Sequence, residues 1–178
     1  MNRIEWYWKR LMGHGGRYGV QVRFDTREKT YRPIRSKPDF EVDWSEGTRA
    51  IFDAKVCSGA SLDISRPTEK TATIVKQIDF MLRRSAVGVP CFFLVHFNAR
   101  VVRGKQEEAF TYAIPVHEGM AVWREWRSGE RTKINRPTAS SVGVQVAWDV
   151  PHGSRTLSPN LLAAARAVKQ VITEAEYV

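Results

Sequence analysis

Residues 91–97 constrain the fold of this chain more than any other segment. They read Cys-Phe-Phe-Leu-Val-His-Phe, without the polar and apolar alternation that a half-buried strand shows. A strand of this kind is apolar on both faces, so it must be covered on both faces. We expect these residues to form a central strand in a sheet that has helices on both sides.

Two segments have the apolar spacing of amphipathic helices. In residues 67–84, apolar side chains recur three or four positions apart, at Ala72, Val75, Ile78 and Leu82. Residues 158–176 repeat this spacing at Leu161, Ala165, Val168 and Ile172. Pro67 suits the first turn of the first helix, and Ser158 followed by Pro159 suits the start of the second. We therefore expect one helix over residues 67–84, before the central strand, and a second helix over residues 158–176.

Further strands are expected on both sides of the first helix. The segments with strand character are residues 18–24, 39–44, 49–57, 109–116 and 142–148. A tight turn at residues 45–47 joins two of them into a hairpin. Residues 25–37 are polar, basic and interrupted by Pro33, so we expect a basic arm outside the core. The order of elements predicts one α/β domain over residues 1–178, with a mixed central sheet flanked by helices.

The composition is typical of a globular protein without a membrane span. Apolar residues make up 43% of the chain and charged residues 26%. No apolar run approaches the roughly 20 residues of a transmembrane helix, and the first residues lack the features of a signal peptide. Cys57 and Cys91 lie in apolar segments, where a cysteine usually acts as a small buried hydrophobe. We expect a cytoplasmic protein with no membrane partner.

The net charge of +9 is concentrated near the amino terminus. Residues 1–37 contain ten Lys or Arg against three Asp or Glu, whereas residues 38–99 contain seven against eight. Clustered cations favour binding to the phosphates of nucleic acid more than the same charge spread evenly. A basic amino-terminal segment therefore precedes a slightly acidic middle segment, which contains the residues best suited to chemistry.

Those residues are Asp39, Asp53 and Lys55. Side chains alternate along a strand, so Asp53 and Lys55 share one face, and a 39–57 hairpin would bring Asp39 to the same end. Two carboxylates at one point repel each other, and a divalent cation relieves that repulsion. Oxygen ligands favour Mg²⁺, which uses one or two carboxylates together with water and substrate phosphate. The pattern predicts a magnesium site for a phosphodiester, in which Lys55 neutralises developing charge.

A simpler interpretation of the same residues is a surface hairpin with an Asp–Lys ion pair. Such an exposed pair contributes only about 0–1 kcal/mol to stability. An Asp-x-Lys sequence alone does not decide between this interpretation and a metal site. The apolar strand that contains Asp53, and the Pro38-Asp39 pair before it, favour the metal site.

The order of these motifs resembles the PD-(D/E)xK nuclease superfamily, and within it the RecU-like Holliday-junction resolvases. The resemblance covers about residues 37–97 in one continuous order. It is carried by Pro38-Asp39-Phe40-Glu41-Val42, Gly47, Ile51-Phe52-Asp53-Ala54-Lys55, Gln77-Ile78-Asp79-Phe80-Met81-Leu82, Gly88 and the Phe-rich strand 92–97. The chain departs from the family at Val56, where a glutamate is usual, and at Lys76, where a histidine is common.

The resemblance implies a restriction-endonuclease-like core and a magnesium-dependent endonuclease, with Mn²⁺ able to substitute. Asp39, Asp53 and the carbonyl of Ala54 would hold the metal, Lys55 would assist the nucleophile or transition state, and Gln77 would orient phosphate or water. The family also takes a glutamate from its first helix. The sequence predicts a short amino-terminal helix over residues 4–12, and Glu5 is the only acid in it. A solvated helix-start glutamate explains Glu5 equally well.

Two groups of cations are candidates for DNA binding. The family has a stalk at the position of the basic arm, and the cations here are Arg23, Arg27, Lys29, Arg32, Arg35 and Lys37. Lys70, Gln77 and Arg84 are seven residues apart and lie on one helical stripe, next to the site if the resemblance holds. In both groups, simple solvation is the alternative interpretation.

The resemblance implies that the substrate is a four-way DNA junction, cut by paired symmetric nicks. Two symmetric nicks suit a two-fold homodimer, for which Trp6, Tyr7 and Trp8 offer a surface unless they belong to the core. A second possibility is another nuclease of the superfamily, of restriction or repair type, acting on duplex DNA. A third is a non-catalytic DNA-binding relative.

Overall fold

A five-stranded sheet lies at the centre of the computed structural model. The structure describes residues 22–25, 30–33, 38, 40–43, 47–65, 72–149 and 158–176. Strands in this part of the chain are β1 (Val22–Asp25), β2 (Thr30–Pro33), β3 (Phe40–Asp43), β4 (Arg49–Cys57), β5 (Ser61–Asp63), β6 (Cys91–Phe97), β7 (Arg100–Val102), β8 (Lys105–Glu107), β9 (Phe110–Pro115), β10 (Lys133–Asn135), β11 (Val144–Gln145), β12 (Trp148–Asp149) and β13 (Ser158–Pro159). The helices are α1 (Ala72–Ser85), α2 (Ala121–Ser128), α3 (Arg136–Val142) and α4 (Leu161–Glu176).

The central sheet has the order β11-β9-β6-β4-β3 and is mixed. β4 and β6 are parallel, with α1 between them in the chain, whereas the β3–β4, β6–β9 and β9–β11 pairs are antiparallel. Pairs of two strands, β1–β2, β5–β10, β7–β8 and β12–β13, lie outside it. These findings confirm the predicted α/β class with a mixed central sheet flanked by helices.

β6 lies in the middle of the sheet and is covered on both faces, as its apolar sequence predicts. Phe93, Val95 and Phe97 pack with α1 and α2 on one face. Phe92 and Leu94 pack with α4 on the other face. Only His96 in this strand is partly exposed. Burial of apolar surface on both faces therefore holds the strand pair β4–β6 between two helical layers.

Helix α1 turns a continuous apolar stripe towards the sheet. Its buried side chains recur three or four residues apart, at Ile74, Gln77, Ile78, Met81, Leu82 and Ser85. Basic residues in the last turn, Arg83 and Arg84, favour the negative end of the helix dipole. The predicted start at Pro67 lies outside the described residues. One polar side chain, Gln77, is thus buried within an otherwise largely apolar stripe.

Helix α4 begins at Leu161, three residues later than the sequence predicts. The Asn160 side chain accepts a hydrogen bond from the Ala163 backbone amide at 3.1 Å, so Asn160 is the N-cap. Ser158 and Pro159 instead form β13, which pairs with Trp148 and Asp149. The choice of Ser158 as N-cap was wrong, because Asn160, two residues later, supplies the capping side chain.

The structure also differs from the sequence-based expectations where short strands pair with strands that are distant in the sequence. Residues 142–148 do not form one strand, because α3 ends at Val142 and two short strands follow. Between the predicted strand at residues 49–57 and the predicted helix, where no strand was expected, the structure contains β5, which pairs with β10. Part of the expected arm at residues 25–37 is strand β2, paired with β1. Such pairings depend on distant partners, which local sequence patterns do not reveal.

Helix lengths in the described residues run from 7 in α3 to 16 in α4. Within this part of the chain, no helix combines the length and the apolar character that a membrane crossing requires.

Candidate active site

Strand β4 places Asp53 and Lys55 on the face of the sheet that α1 covers. Ile51 of the same strand packs with α1, whereas Phe52 and Ala54 pack on the side of α4. Because side chains alternate along a strand, Asp53 and Lys55 point to the same side as Ile51. A carboxylate and an ammonium group therefore enter an otherwise apolar layer between sheet and helix.

Asp53, Lys55 and Gln77 contact one another in a closed triangle, which we call the Asp–Lys–Gln triad. The Gln77 side-chain amide donates a hydrogen bond to Oδ2 of Asp53 at 2.5 Å. The Lys55 ammonium donates to Oε1 of Gln77 at 3.1 Å and forms an ion pair with Oδ1 of Asp53. The structure thus brings together three predicted site residues from two separate elements.

Burial differs within the triad. Asp53 is 0% exposed and Gln77 is 3% exposed, whereas the Lys55 side chain is 26% exposed. A buried carboxylate is costly unless it is paired and hydrogen-bonded, and the two contacts meet that need. Gln77 is therefore not part of a solvated helix face. Lys55 is the member of the triad that a solute can reach.

In the parallel strands β4 and β6, the triad extends from the middle of β4, at Asp53, into its carboxyl-terminal half, at Lys55. In their register, Asp53 is opposite Phe93 and Lys55 is opposite Val95. Within the described residues, β3 begins at Phe40, which is opposite Phe52. From Asp53 to Cys57, the described strand that pairs with β4 is therefore β6 alone. Ligands of open α/β sheets bind near the carboxyl ends of the strands. The position of the triad agrees with that rule.

Asp39 lies outside the described residues, but the hairpin that precedes Asp53 is present. Phe40 pairs with Phe52, and their rings stack with centroids 5.0 Å apart. These two residues are the chain neighbours of Asp39 and Asp53. The expected contact between Asp39 and Asp53 requires this register of β3 and β4. The contact itself remains a prediction.

Most of the other predicted site residues also lie outside the described residues. They are Glu5, the aromatic residues Trp6, Tyr7 and Trp8, and the cations Arg27, Lys29, Arg35, Lys37 and Lys70. The backbones of Arg23 and Arg32 are opposite each other in the β1–β2 pair. Both belong to one antiparallel hairpin, which precedes β3 in the chain.

Arg84 lies on α1 at a distance from the triad. It is seven residues beyond Gln77, which corresponds to about 10 Å along a helix. Burial raises the pKa of the Cys91 thiol to about 12, and the charge of Arg84 opposes that rise. Cys91 begins β6 opposite Ile51, so Arg84 is near the amino end of that strand. If Arg84 binds DNA, it does so at the opposite end of these strands from Lys55.

Glu41 is an acid near the triad that the sequence reasoning did not select. It is opposite Ile51, so its side chain shares the face of Asp53. That side chain is 7% exposed and pairs with Arg49. Diagonal neighbours on paired strands are about 7–8 Å apart, which puts Glu41 close to Asp53. The signal was available, because Glu41 is two residues after Asp39 and strand faces repeat every two residues.

Cys57 follows Lys55 on the same face of β4, but its thiol is not a nucleophile. Burial raises the pKa of Cys57 to about 11, while the charges of Arg136 and Lys55 act in the opposite direction. A protonated thiol is a weak nucleophile and a poor metal ligand. The chemistry available here is therefore that of carboxylate, amide and ammonium groups.

The triad offers a hard cation one carboxylate, and the predicted second ligand, Asp39, lies beyond the described part of the chain. Among the described residues, no three His, Cys, Asp or Glu side chains come together as a metal site. Asp53 supplies one carboxylate, and Mg²⁺ commonly takes one or two carboxylates together with water and phosphate oxygens. Asp53 with Asp39 would fit that requirement.

Comparison with models of known protein families and with curated proteins found no match for this chain. The triad and the order of motifs in the sequence are therefore the features that point to a function.

Proposed function

We propose that this chain is a magnesium-dependent, structure-selective DNA endonuclease that resolves four-way junctions by paired symmetric nicks. The observation that carries the proposal is the triad, in which Asp53 is fully buried and held by Gln77 and Lys55. Lys55 lies in the carboxyl-terminal half of β4, opposite the carboxyl-terminal half of β6, which adds support.

The triad has little value as a stabilising device alone. Replacing a buried ion pair with apolar residues of similar volume is often neutral or stabilising, because desolvation offsets the attraction between the charges. Apolar side chains of the same two elements, among them Ile51, Ile78 and Met81, fill much of this layer. Ionisable groups held in such a position are candidates for function.

Each residue of the triad has a distinct role in this proposal. Asp53 binds Mg²⁺ together with Asp39 and the carbonyl of Ala54, as the family resemblance implies. When bound, Mg²⁺ polarises the phosphate and lowers the pKa of a coordinated water. Gln77 fixes the orientation of the Asp53 carboxylate and of the Lys55 ammonium. Lys55, partly exposed, neutralises charge that develops on the phosphate during attack.

DNA is proposed as the substrate because of where the positive charge lies in the chain. Residues 1–37 carry a net charge of +7, and they precede Asp39 directly. Binding to phosphate depends strongly on the number of cations that meet the backbone. Paired nicks at a junction need two sites related by two-fold symmetry, so the proposed assembly is a homodimer.

Three labelled substrates test the proposal: a four-way junction, a linear duplex and a single strand, each incubated with Mg²⁺. We expect wild-type protein to make paired symmetric nicks in the junction only. Asp53→Asn should be inactive, since it removes a charge and keeps the shape of the side chain. Glu130→Gln, at an exposed position, is the matched control for loss of one carboxylate and should be fully active.

Two results would replace the proposal with another function. Equal cleavage of the linear duplex, still abolished by Asp53→Asn, would indicate a nuclease of restriction or repair type. No cleavage of any substrate, together with no binding of Mg²⁺ or Mn²⁺, would indicate a DNA-binding protein without catalytic activity.

A further inference from the structure

The antiparallel pair β7–β8 forms a tight hairpin that carries an arginine in an unfavourable backbone conformation. Val102 pairs with Lys105, and the two residues between them are Arg103 with φ 50° and Gly104 with φ 77°. A two-residue hairpin turn of type I′ has positive φ at both positions and favours Asn, Asp or Gly there. Arg103 is the only non-glycine residue with positive φ in the described part of the chain. Its side chain is exposed to solvent.

The base of the hairpin is fastened to the central sheet by Arg136, the first residue of α3. Its guanidinium donates to the carbonyls of Asn98 and Glu108, on either side of the hairpin. It also lies 5.6 Å from the ring centroid of Phe97, at the end of β6. Planar guanidinium groups are suited to several fixed hydrogen bonds at once. The direction in which the hairpin projects is therefore set by the sheet.

Charges at the base of the hairpin are paired, whereas those at its tip are not. Arg100 donates to Glu107 at 2.6 Å, and Arg136 is 3.6 Å from the same carboxylate. At the tip, Arg103 and Lys105 are exposed, and no ion pair joins either of them to another described residue. The exposed acid Glu108 lies beyond β8, on the base side. The tip therefore presents two cations to solvent.

The hairpin projects from the end of the sheet nearest to Lys55. Asn98, which follows β6, donates its backbone amide to the carbonyl of Cys57 at 3.1 Å. Cys57 is two residues beyond Lys55 and four residues beyond Asp53. The four residues from Asp53 to Cys57 span about 13 Å along a strand. One turn of duplex DNA is longer than this distance, so a duplex that occupies the triad and runs along the strand direction reaches the base of the hairpin.

We infer that the β7–β8 hairpin is a DNA-contacting element, in which Arg103 and Lys105 bind backbone phosphates of the duplex that occupies the triad. This inference rests on the proposed function, since it takes DNA as the substrate. Duplex DNA carries one negative charge per about 1.7 Å of its axis, so two neighbouring cations meet phosphates without a sequence requirement. Arginine at a strained turn position is explained by this contact, because strain in a fold tends to persist where the residue has a use.

The test is the salt dependence of junction binding by the full-length protein, measured in a chelator so that no strand is cut. The double variant Arg103→Asn with Lys105→Gln removes both charges, and Asn retains the preference for positive φ. We expect the slope of log affinity against log salt to become shallower by about two, one for each phosphate contact. Arg103→Asn alone should raise Tm by about 2 °C, because it relieves the turn.

Arg124→Gln with Lys169→Gln is the matched control, since it removes two exposed cations from α2 and α4. Its salt slope should equal that of wild-type protein. An unchanged slope in the hairpin variant, or equal loss in both double variants, would overturn the inference. So would a wild-type protein that does not bind the junction.

Failure of the inference and failure of the proposed function give different results. A wild-type protein that cleaves the junction while the hairpin variant keeps its salt slope overturns the inference alone. A shallower slope in a protein that cleaves no substrate supports the DNA contact and overturns the nuclease proposal.

Discussion

Gln77 of α1 donates a hydrogen bond to Oδ2 of Asp53 on β4, across the interface between helix and sheet. Both side chains are almost fully buried, and Oε1 of the same amide accepts from Lys55. One amide thereby holds a carboxylate and an ammonium group in fixed positions. The bond joins β4 to α1. The geometry of the site therefore depends on how α1 packs against the sheet.

Gln77→Leu should reduce both stability and activity. It keeps the side-chain volume and removes the donor to Asp53, so we expect a loss of about 1–3 kcal/mol in the free energy of unfolding. Junction cleavage should fall at least about tenfold, because Asp53 and Lys55 lose their orientation. Urea denaturation and single-turnover rates measure the two effects. Gln170→Leu, on the exposed side of α4, is the control and should change neither by a comparable amount.

Lys55→Met should destabilise the fold through the charge that it leaves on Asp53. We expect a loss of about 1–3 kcal/mol, less than for a fully buried pair because Lys55 is partly exposed. Adding Asp53→Asn should restore part of that stability, since the uncompensated charge is then gone. A double-mutant cycle by chemical denaturation measures the coupling. Strict additivity, within about 0.5 kcal/mol, would contradict the contact between the two side chains.

His96 should make the fold less stable in mild acid. Burial, with a smaller effect of the Arg136 charge, lowers the pKa of His96 from its ordinary value of 6.5. The unfolded chain then binds a proton more readily than the folded protein, so stability is complete above pH 6.5 and declines as pH falls towards the lower pKa of the folded state. Between pH 7.5 and 5, Tm should fall further in wild-type protein than in His96→Gln. Equal falls in Tm would contradict this account.

Asn160→Ala should weaken the start of α4, whereas Ser158→Ala should have little effect. The Asn160 side chain accepts from the amide of Ala163, and loss of an N-cap costs about 0.5–2 kcal/mol. Ser158 belongs to β13 and precedes the cap. Thermal unfolding of the two variants measures the difference. A larger effect at Ser158 than at Asn160 would support the helix start that the sequence suggests.

The central strand, the β3–β4 hairpin and most of α1 were predictable because their signals are local. Residues 91–97 are apolar enough to require cover on both faces, and the spacing of Ile78 and Leu82 is helical in any context. The position of Gln77 was only partly predictable. Placed on a stripe with Lys70 and Arg84, it resembles a solvated residue, yet Ile74 and Met81 are its neighbours at three and four residues, and both are buried.

The β7–β8 hairpin and the pairing of β5 with β10 left weaker signals in the sequence. The hairpin turn is Arg-Gly, without the Asn or Asp that usually marks such a turn. β5 and β10 have three residues each and find each other only in the folded protein. Glu41 illustrates a different limit, since its face follows from alternation but its burial depends on the hairpin register.

The single-turnover rate of junction cleavage as a function of Mg²⁺ tests the central claim most directly. Wild-type protein, Asp53→Asn, Lys55→Met and the control Glu130→Gln are compared after each is shown to fold. We predict a rate that rises with Mg²⁺ in wild-type and Glu130→Gln protein, and a loss of at least about 100-fold in the two triad variants. Rates in Asp53→Asn within a few-fold of wild type, at every concentration of Mg²⁺, would contradict the assignment of the triad as the catalytic site.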